Sequence, residues 1–153
     1  MKLHRWLRLI TPDKFLKFAK RIVSNSNISE EESRSAISRA YYSLYHETLT
    51  KIVNKYSFDL IKNVERDWGR HLKWYEKTQL NSLDPKLLRK CNFHKVLPNT
   101  LHDIKENILA MNFKNFRDKR NQADYDLKLN FTHTDADTVV NNIDGLVKQV
   151  RTL

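Results

Sequence analysis

The stretch Ser29–Tyr56, SEEESRSAISRAYYSLYHETLTKIVNKY, decides the fold. Ser29-Glu-Glu-Glu32 is a capping box. Ser29 accepts from the backbone three residues on, and Glu32 reaches back to the Ser29 amide. Ile37, Ala40, Tyr41, Leu44, Tyr45, Leu49, Ile52, Val53 and Tyr56 then hold helical spacing for about 20 residues. This is one long amphipathic helix with Tyr41 and Tyr45 in the core. Its opposite side carries Ser35, Arg39, Tyr42, His46 and Thr50, a second stripe that is polar yet aromatic and basic.

Outward from this helix the chain keeps the same character. Thr11-Pro12 opens an earlier helix, with Thr as N-cap and Pro where no amide donor is needed. Phe15, Phe18, Ala19, Ile22 and Val23 form its apolar stripe, and Ser24–Asn27 ends it. Residues 57–66 read as a loop. A helix is expected around 67–80, with Trp68, Leu72 and Tyr75 on one side. Pro85 and Pro98 punctuate a weaker region holding a short helix over 85–92. Asn99 or Thr100 caps a long helix carrying Leu101, Ile104, Ile108 and Met111, with Phe116 near its end. Leu127–Phe131 alternates like an extended connector. Thr134 caps a last helix on which Ala136, Val139, Val140, Ile143, Leu146, Val147 and Val150 repeat. The expectation is an all-α fold: an antiparallel up-and-down bundle of four to five helices in a single domain over 1–153.

Composition narrows the class. The chain has 153 residues, and 40% hydrophobic content supports one packed core. Two glycines and three prolines are too few for a β-sandwich or a glycine-rich phosphate loop. A single cysteine, Cys91, excludes an intrachain disulfide and a cysteine zinc site. His4, Arg5 and Arg8 interrupt the apolar start, so no secretory signal is read there. No segment approaches the ~20 apolar residues of a membrane span. A soluble, cytoplasmic protein is expected, with no membrane contact.

The formal net charge is +10, beyond the roughly 2–8 that solubility asks for. Residues 1–28 hold seven basic side chains and one acid, and Lys86, Arg89, Lys90 and Lys95 crowd 86–95 without an acid. Such clusters suit a polyanion such as RNA or DNA, with Lys14, Lys17 and Lys20 as phosphate contacts.

Two segments carry the candidate chemistry: Ser35–His46 on the long helix and Phe116-Arg-Asp-Lys-Arg-Asn-Gln-Ala-Asp-Tyr125. In a helix, Arg117, Arg120, Asn121 and Asp124 share one face. The ordered pair Ser-Arg-Ala-Tyr-Tyr…His and Arg-Asn-x-Ala-Asp-Tyr resembles the HEPN superfamily (higher eukaryote and prokaryote nucleotide-binding), in its small stand-alone prokaryotic branch. The resemblance covers about residues 30–150.

The resemblance implies a helical bundle that dimerises along the motif faces, here through Arg39, Tyr42 and Tyr125. Many such proteins are metal-independent endoribonucleases of toxin–antitoxin or antiviral defence systems and need no cofactor. In them an Arg binds the scissile phosphate and a following His moves the 2′-hydroxyl proton. Arg120 and Asn121 match that motif. The His does not: Tyr125, Asp126 and Leu127 occupy its positions. Asp124 is a weak base beside an Arg, so Arg120–Asp124 reads first as an i,i+4 ion pair. His46 is then the proton carrier to consider. Candidate catalytic residues are Arg120, Asn121, Asp124 and His46; candidate RNA contacts are Arg39, Arg117, Lys14, Lys17 and Lys20. The alternative is a catalytically silent HEPN module that binds nucleotide, nucleic acid or a partner protein, such as an antitoxin or a nucleotidyltransferase. No His, Cys or acidic cluster has metal-ligand spacing, so no metal site is expected.

Overall fold

The computed structural model describes residues 11–80 and 90–153. The Met1–Ile10 start, the expected 85–92 helix except its last residues, and Lys86 and Arg89 of the second basic cluster lie outside the described residues.

The long helix forms as its sequence dictates. It is α2, Glu30–Lys55, following α1, Pro12–Val23. Ser29 Oγ accepts the Glu32 amide at 3.2 Å, and Glu32 Oε2 accepts the Ser29 amide at 2.8 Å. The chain continues as α3, Ser57–Trp68, and α4, Trp74–Thr78. The second described stretch holds α5, Phe93–Asp103, α6, Asn107–Tyr125, and α7, His133–Thr152. The described residues are therefore an all-α bundle, with seven helices where four to five were expected.

Helix α2 is the central element. It packs against α1, α7 and α6; α5 lies on α6, and α3 on α5. The buried residues form one cluster, in which Ile37, Ala40, Tyr41, Leu44 and Ile52 of α2 meet Leu109 and Phe113 of α6 and Val140, Ile143 and Val147 of α7. Ionic ties close the rim. Lys20 of α1 lies 2.8 Å from Asp144 of α7. Arg151 bridges Asp13 at 2.5 Å and Glu47 at 3.0 Å, joining α7, α1 and α2.

Five expectations are corrected. Residues 57–66 are helical, because Leu60 and Val64 bury one apolar row one turn apart. Asn63 is also buried there, donating to Asp59 O at 2.9 Å and to Asp103 Oδ2 of α5 at 2.8 Å. The expected 67–80 helix is interrupted: α3 ends at Trp68, Leu72 lies in the following turn, and α4 covers only Trp74–Thr78 with Tyr75 exposed. The expected long helix from Asn99 or Thr100 is two helices. α5 already begins at Phe93 and contains Pro98; the break comes at Lys105, whose φ of 67° is left-handed and ends the helix. That break rotates α6, so Ile108 and Met111 face outward while Leu109, Ala110 and Phe113 are buried. The last cap is Thr132 rather than Thr134, with Asp135 completing its box. On α1, Phe18 is exposed and Leu16 takes the core place beside Ala19 and Val23.

Candidate functional site

The two sequence motifs meet in space. Helix α6 stays helical through Tyr125, so Arg117, Arg120 and Asp124 project along one side of its last turns, against α2. Arg120 Nη2 donates to Tyr42 Oη of α2 at 2.5 Å. Its Nη1 donates to Asn121 Oδ1 at 3.0 Å. Its Nε lies 2.7 Å from Asp124 Oδ2 but is buried without an aligned hydrogen bond, so that contact is an ion pair. The guanidinium also stands 5.1 Å from the Tyr42 ring centroid and 5.6 Å from that of Tyr125. Ser38 of α2 reaches Asp124 Oδ2 at 3.5 Å. Asn121 faces solvent, and Tyr125 is 73% exposed.

Arg34 holds this end of α6 in place. The last carbonyls of a helix have no amide partner within it. Arg34 of α2 donates to one of them, at Ala123 (2.8 Å), and also to Asp126 O (3.1 Å), to Leu129 O, and at 3.4 Å to Gln122 O, which already accepts the Asp126 amide. Glu30 pairs with the same guanidinium at 2.7 Å, and the Phe131 ring lies 5.0 Å away. A tertiary arginine thus caps the helix end that carries Arg120 and Asp124. Nothing in the local sequence signals this, since its acceptors lie 88 to 95 residues away.

The third contributor is His94, a residue with no motif around it. Helix α5 sets its ring among the α2 aromatics. It stacks on Tyr45 at 4.5 Å and on Tyr41 at 5.6 Å, and meets Tyr42 edge-on at 6.5 Å. Its Nδ1 is 2.7 Å from Tyr41 Oη. Its backbone carbonyl accepts from Arg117 Nη1 at 3.4 Å. Burial, followed by the charges of Arg120 and Arg117 and by His46, lowers its pKa to about 4. His94 is therefore neutral at pH 7. The same burial pushes Tyr45 up to about 12 and Tyr41 higher still.

His46, the expected proton carrier, is half-buried one turn beyond Tyr42. Its ring lies flat against Phe15 of α1 at 5.5 Å with 3° between planes, and burial lowers its pKa. Arg39 is exposed at the rim, its guanidinium 5.9 Å from the Phe15 ring. Arg117 pairs with Asp118 at 2.9 Å. Lys14, Lys17 and Lys20 are exposed on α1, the helix whose Phe15 touches Tyr42 and His46, and Lys20 is tied to Asp144. Of the second basic cluster, Lys90 is paired with Glu76, and Lys95 is exposed.

The arrangement offers arginines fixed at the edge of an aromatic wall with two uncharged imidazoles in it. Such a face can meet a phosphate and can take up a proton. Among the described residues, no three His, Cys, Asp or Glu side chains cluster to hold a metal ion. No helix among them is long and apolar enough to cross a membrane. No protein-family model, curated protein or solved structure matches the chain.

Proposed function

We propose that the protein is an RNA-binding protein of the HEPN kind, acting as a homodimer, and a candidate metal-independent endoribonuclease of a prokaryotic defence or toxin–antitoxin system. One observation carries the reading. The two motifs that resemble the superfamily lie on different helices, yet Arg120 of one bonds the Tyr42 hydroxyl of the other at 2.5 Å. In this reading Arg120 and Arg117 meet the charge of the scissile phosphodiester. The exposed Arg39, Lys14 and Lys17 extend the cationic track. A second copy laid on the Tyr42–Tyr125 face covers the aromatic, basic stripe and doubles the arginine set.

A specific observation favours the silent-module alternative. Each guanidinium nitrogen of Arg120 already faces a protein oxygen, on Tyr42, Asn121 or Asp124. An arginine so engaged serves as an interhelix tie whether or not a phosphate arrives.

The test is incubation of purified protein with structured RNA in EDTA, beside Arg120→Ala. Cleavage lost in the variant supports the nuclease reading. Cleavage untouched by Arg120→Ala places the active site elsewhere. Salt-sensitive RNA binding without cleavage selects the silent module. Neither binding nor cleavage ends the RNA reading altogether. Sedimentation of the same sample as a strict monomer removes the homodimer.

A further inference from the structure

We propose that His94 is the proton-binding group of this anion site, so that a phosphodiester paired with Arg117 and Arg120 is taken up together with a proton on His94. The proposal rests on the RNA-binding reading above and specifies how that site responds to pH.

His94 is held on three sides. Tyr45 and Tyr41 stack on its ring, Tyr41 Oη lies 2.7 Å from Nδ1, and Tyr42 stands edge-on at 6.5 Å. Tyr42 is also the residue on which Arg120 rests, through its ring at 5.1 Å and its hydroxyl at 2.5 Å. Arg117 reaches the His94 carbonyl. One tyrosine therefore separates the imidazole from one arginine, and its own backbone touches the other. A phosphate oxygen placed against these guanidinium groups lies in the same electrostatic neighbourhood as the ring.

The charges facing the ring then fix the sign. From α2 it faces Tyr41, Tyr42, Tyr45 and His46. From α6 it faces Arg117 and Arg120, whose carboxylate partners are Asp118 and Asp124. Helix α3 brings Asp67 to Asn99, and Asn63 to Asp103, on later turns of α5. With those carboxylates already in place, the ring still holds its proton only near pH 4, against an ordinary value of 6.5. The arginines and burial outweigh them. A bound phosphodiester adds negative charge where the arginines repel the proton, so it offsets their repulsion. Binding and protonation must then favour each other equally, since linkage is reciprocal. His46 also titrates low, but its ring is stacked flat on Phe15, and burial is the cause given by its surroundings rather than the arginines.

The test is calorimetric titration of the full chain with a short 2′-O-methyl RNA, which cannot be cleaved through its 2′-oxygen. The titration is run at pH 5.5 in two buffers of different ionisation enthalpy. The expected result is net uptake of a sizeable fraction of one proton, with affinity rising up to about tenfold per pH unit on acidification toward the free-state value. His94→Gln removes the uptake and with it the rise in affinity on acidification; His46→Gln keeps the uptake. Should His94→Gln fail to fold, the His94 ring is followed by NMR in the wild type, where its midpoint must rise when the oligonucleotide is added. Binding with no proton uptake, or uptake that survives in folded His94→Gln, overturns this proposal and leaves the RNA reading standing. No binding at any pH overturns both.

Discussion

The Tyr41 hydroxyl on α2 lies 2.7 Å from His94 Nδ1 on α5, joining residues 53 apart in the chain. Tyr41 is fully buried and its burial drives its own pKa up, so the hydroxyl stays neutral and needs a partner. His94 is that partner, and each residue fixes the other's ring. Tyr41→Phe keeps the packing and leaves Nδ1 without this bond. The expected cost is about 1–2 kcal/mol of stability, read as a lower urea midpoint with an unchanged slope. An unchanged midpoint would mean the contact contributes nothing.

Acid should weaken the fold through the same imidazole. His94 holds its proton only near pH 4 in the folded chain, whereas the unfolded chain binds one near 6.5. Between those values the unfolded state carries more protons, so stability is fully present above about pH 6.5 and is lost as pH falls toward 4. His46, lowered by burial, adds in the same direction. The full shift corresponds to about 3 kcal/mol, and the partly exposed ring reduces that to about 1–2 kcal/mol. Urea melts at pH 7 and pH 4.5 measure the loss, which should shrink in His94→Gln. An equal loss in the variant would assign it to other groups.

Arg34 should control the end of α6. Replacing it with Ala takes the side-chain donor from the carbonyls of Ala123 and Asp126 and frees Glu30. The expected destabilisation is about 2–3 kcal/mol. Amide exchange should quicken most for residues 120–131, while the middle of α7 keeps its protection. Lysine at this position should recover little, because one ammonium cannot span four carbonyls. Uniform loss of protection across the chain would count against a local capping role.

The α1 lysines should not contribute equally to RNA affinity. Lys20 is already paired with Asp144, while no ion pair is seen for Lys14 or Lys17 among the described residues. Lys14→Gln and Lys17→Gln should each flatten the dependence of log affinity on log salt by about 0.7 for single-stranded RNA. Lys20→Gln should change it less. Affinity that is the same at 50 and 300 mM salt would remove the basic surface as the binding element.

Gly145 tests the backbone of α7. An added Cβ there meets nothing within 4 Å, and the residue is exposed in mid-helix. Gly145→Ala should raise stability by about 0.5–1 kcal/mol. A drop in melting temperature would mean that this face of α7 is covered by something beyond the single chain, such as a second copy.

The helices legible in the sequence are those with a cap and a sustained apolar row. α2 has its box at Ser29–Glu32 and α7 its repeat from Ala136 to Val150, and both appear with those residues turned inward. The 57–80 region misled because Trp68, Leu72 and Tyr75 continue a helical spacing across Gly69, where the chain leaves the helix. The 93–125 region misled because Lys105 is not a residue type that announces a left-handed turn, and one such residue resets which side of α6 is buried.

What the sequence determined by itself is local: an all-helical chain, the face α2 gives to the core, and the i,i+4 placement of Arg120 with Asp124. Capping and periodicity act over a few residues, so they can be read from a few residues. What only the tertiary structure decided is which groups share a site. Arg34 finds its carbonyls about 90 residues away, Tyr42 finds Arg120 at a separation of 78, and His94 joins both motifs from a stretch with no pattern of its own. Those partnerships follow from how α5 and α6 lie on α2. That arrangement is set by burying apolar surface, which is non-directional and favours contact without encoding in any one segment what will be touched.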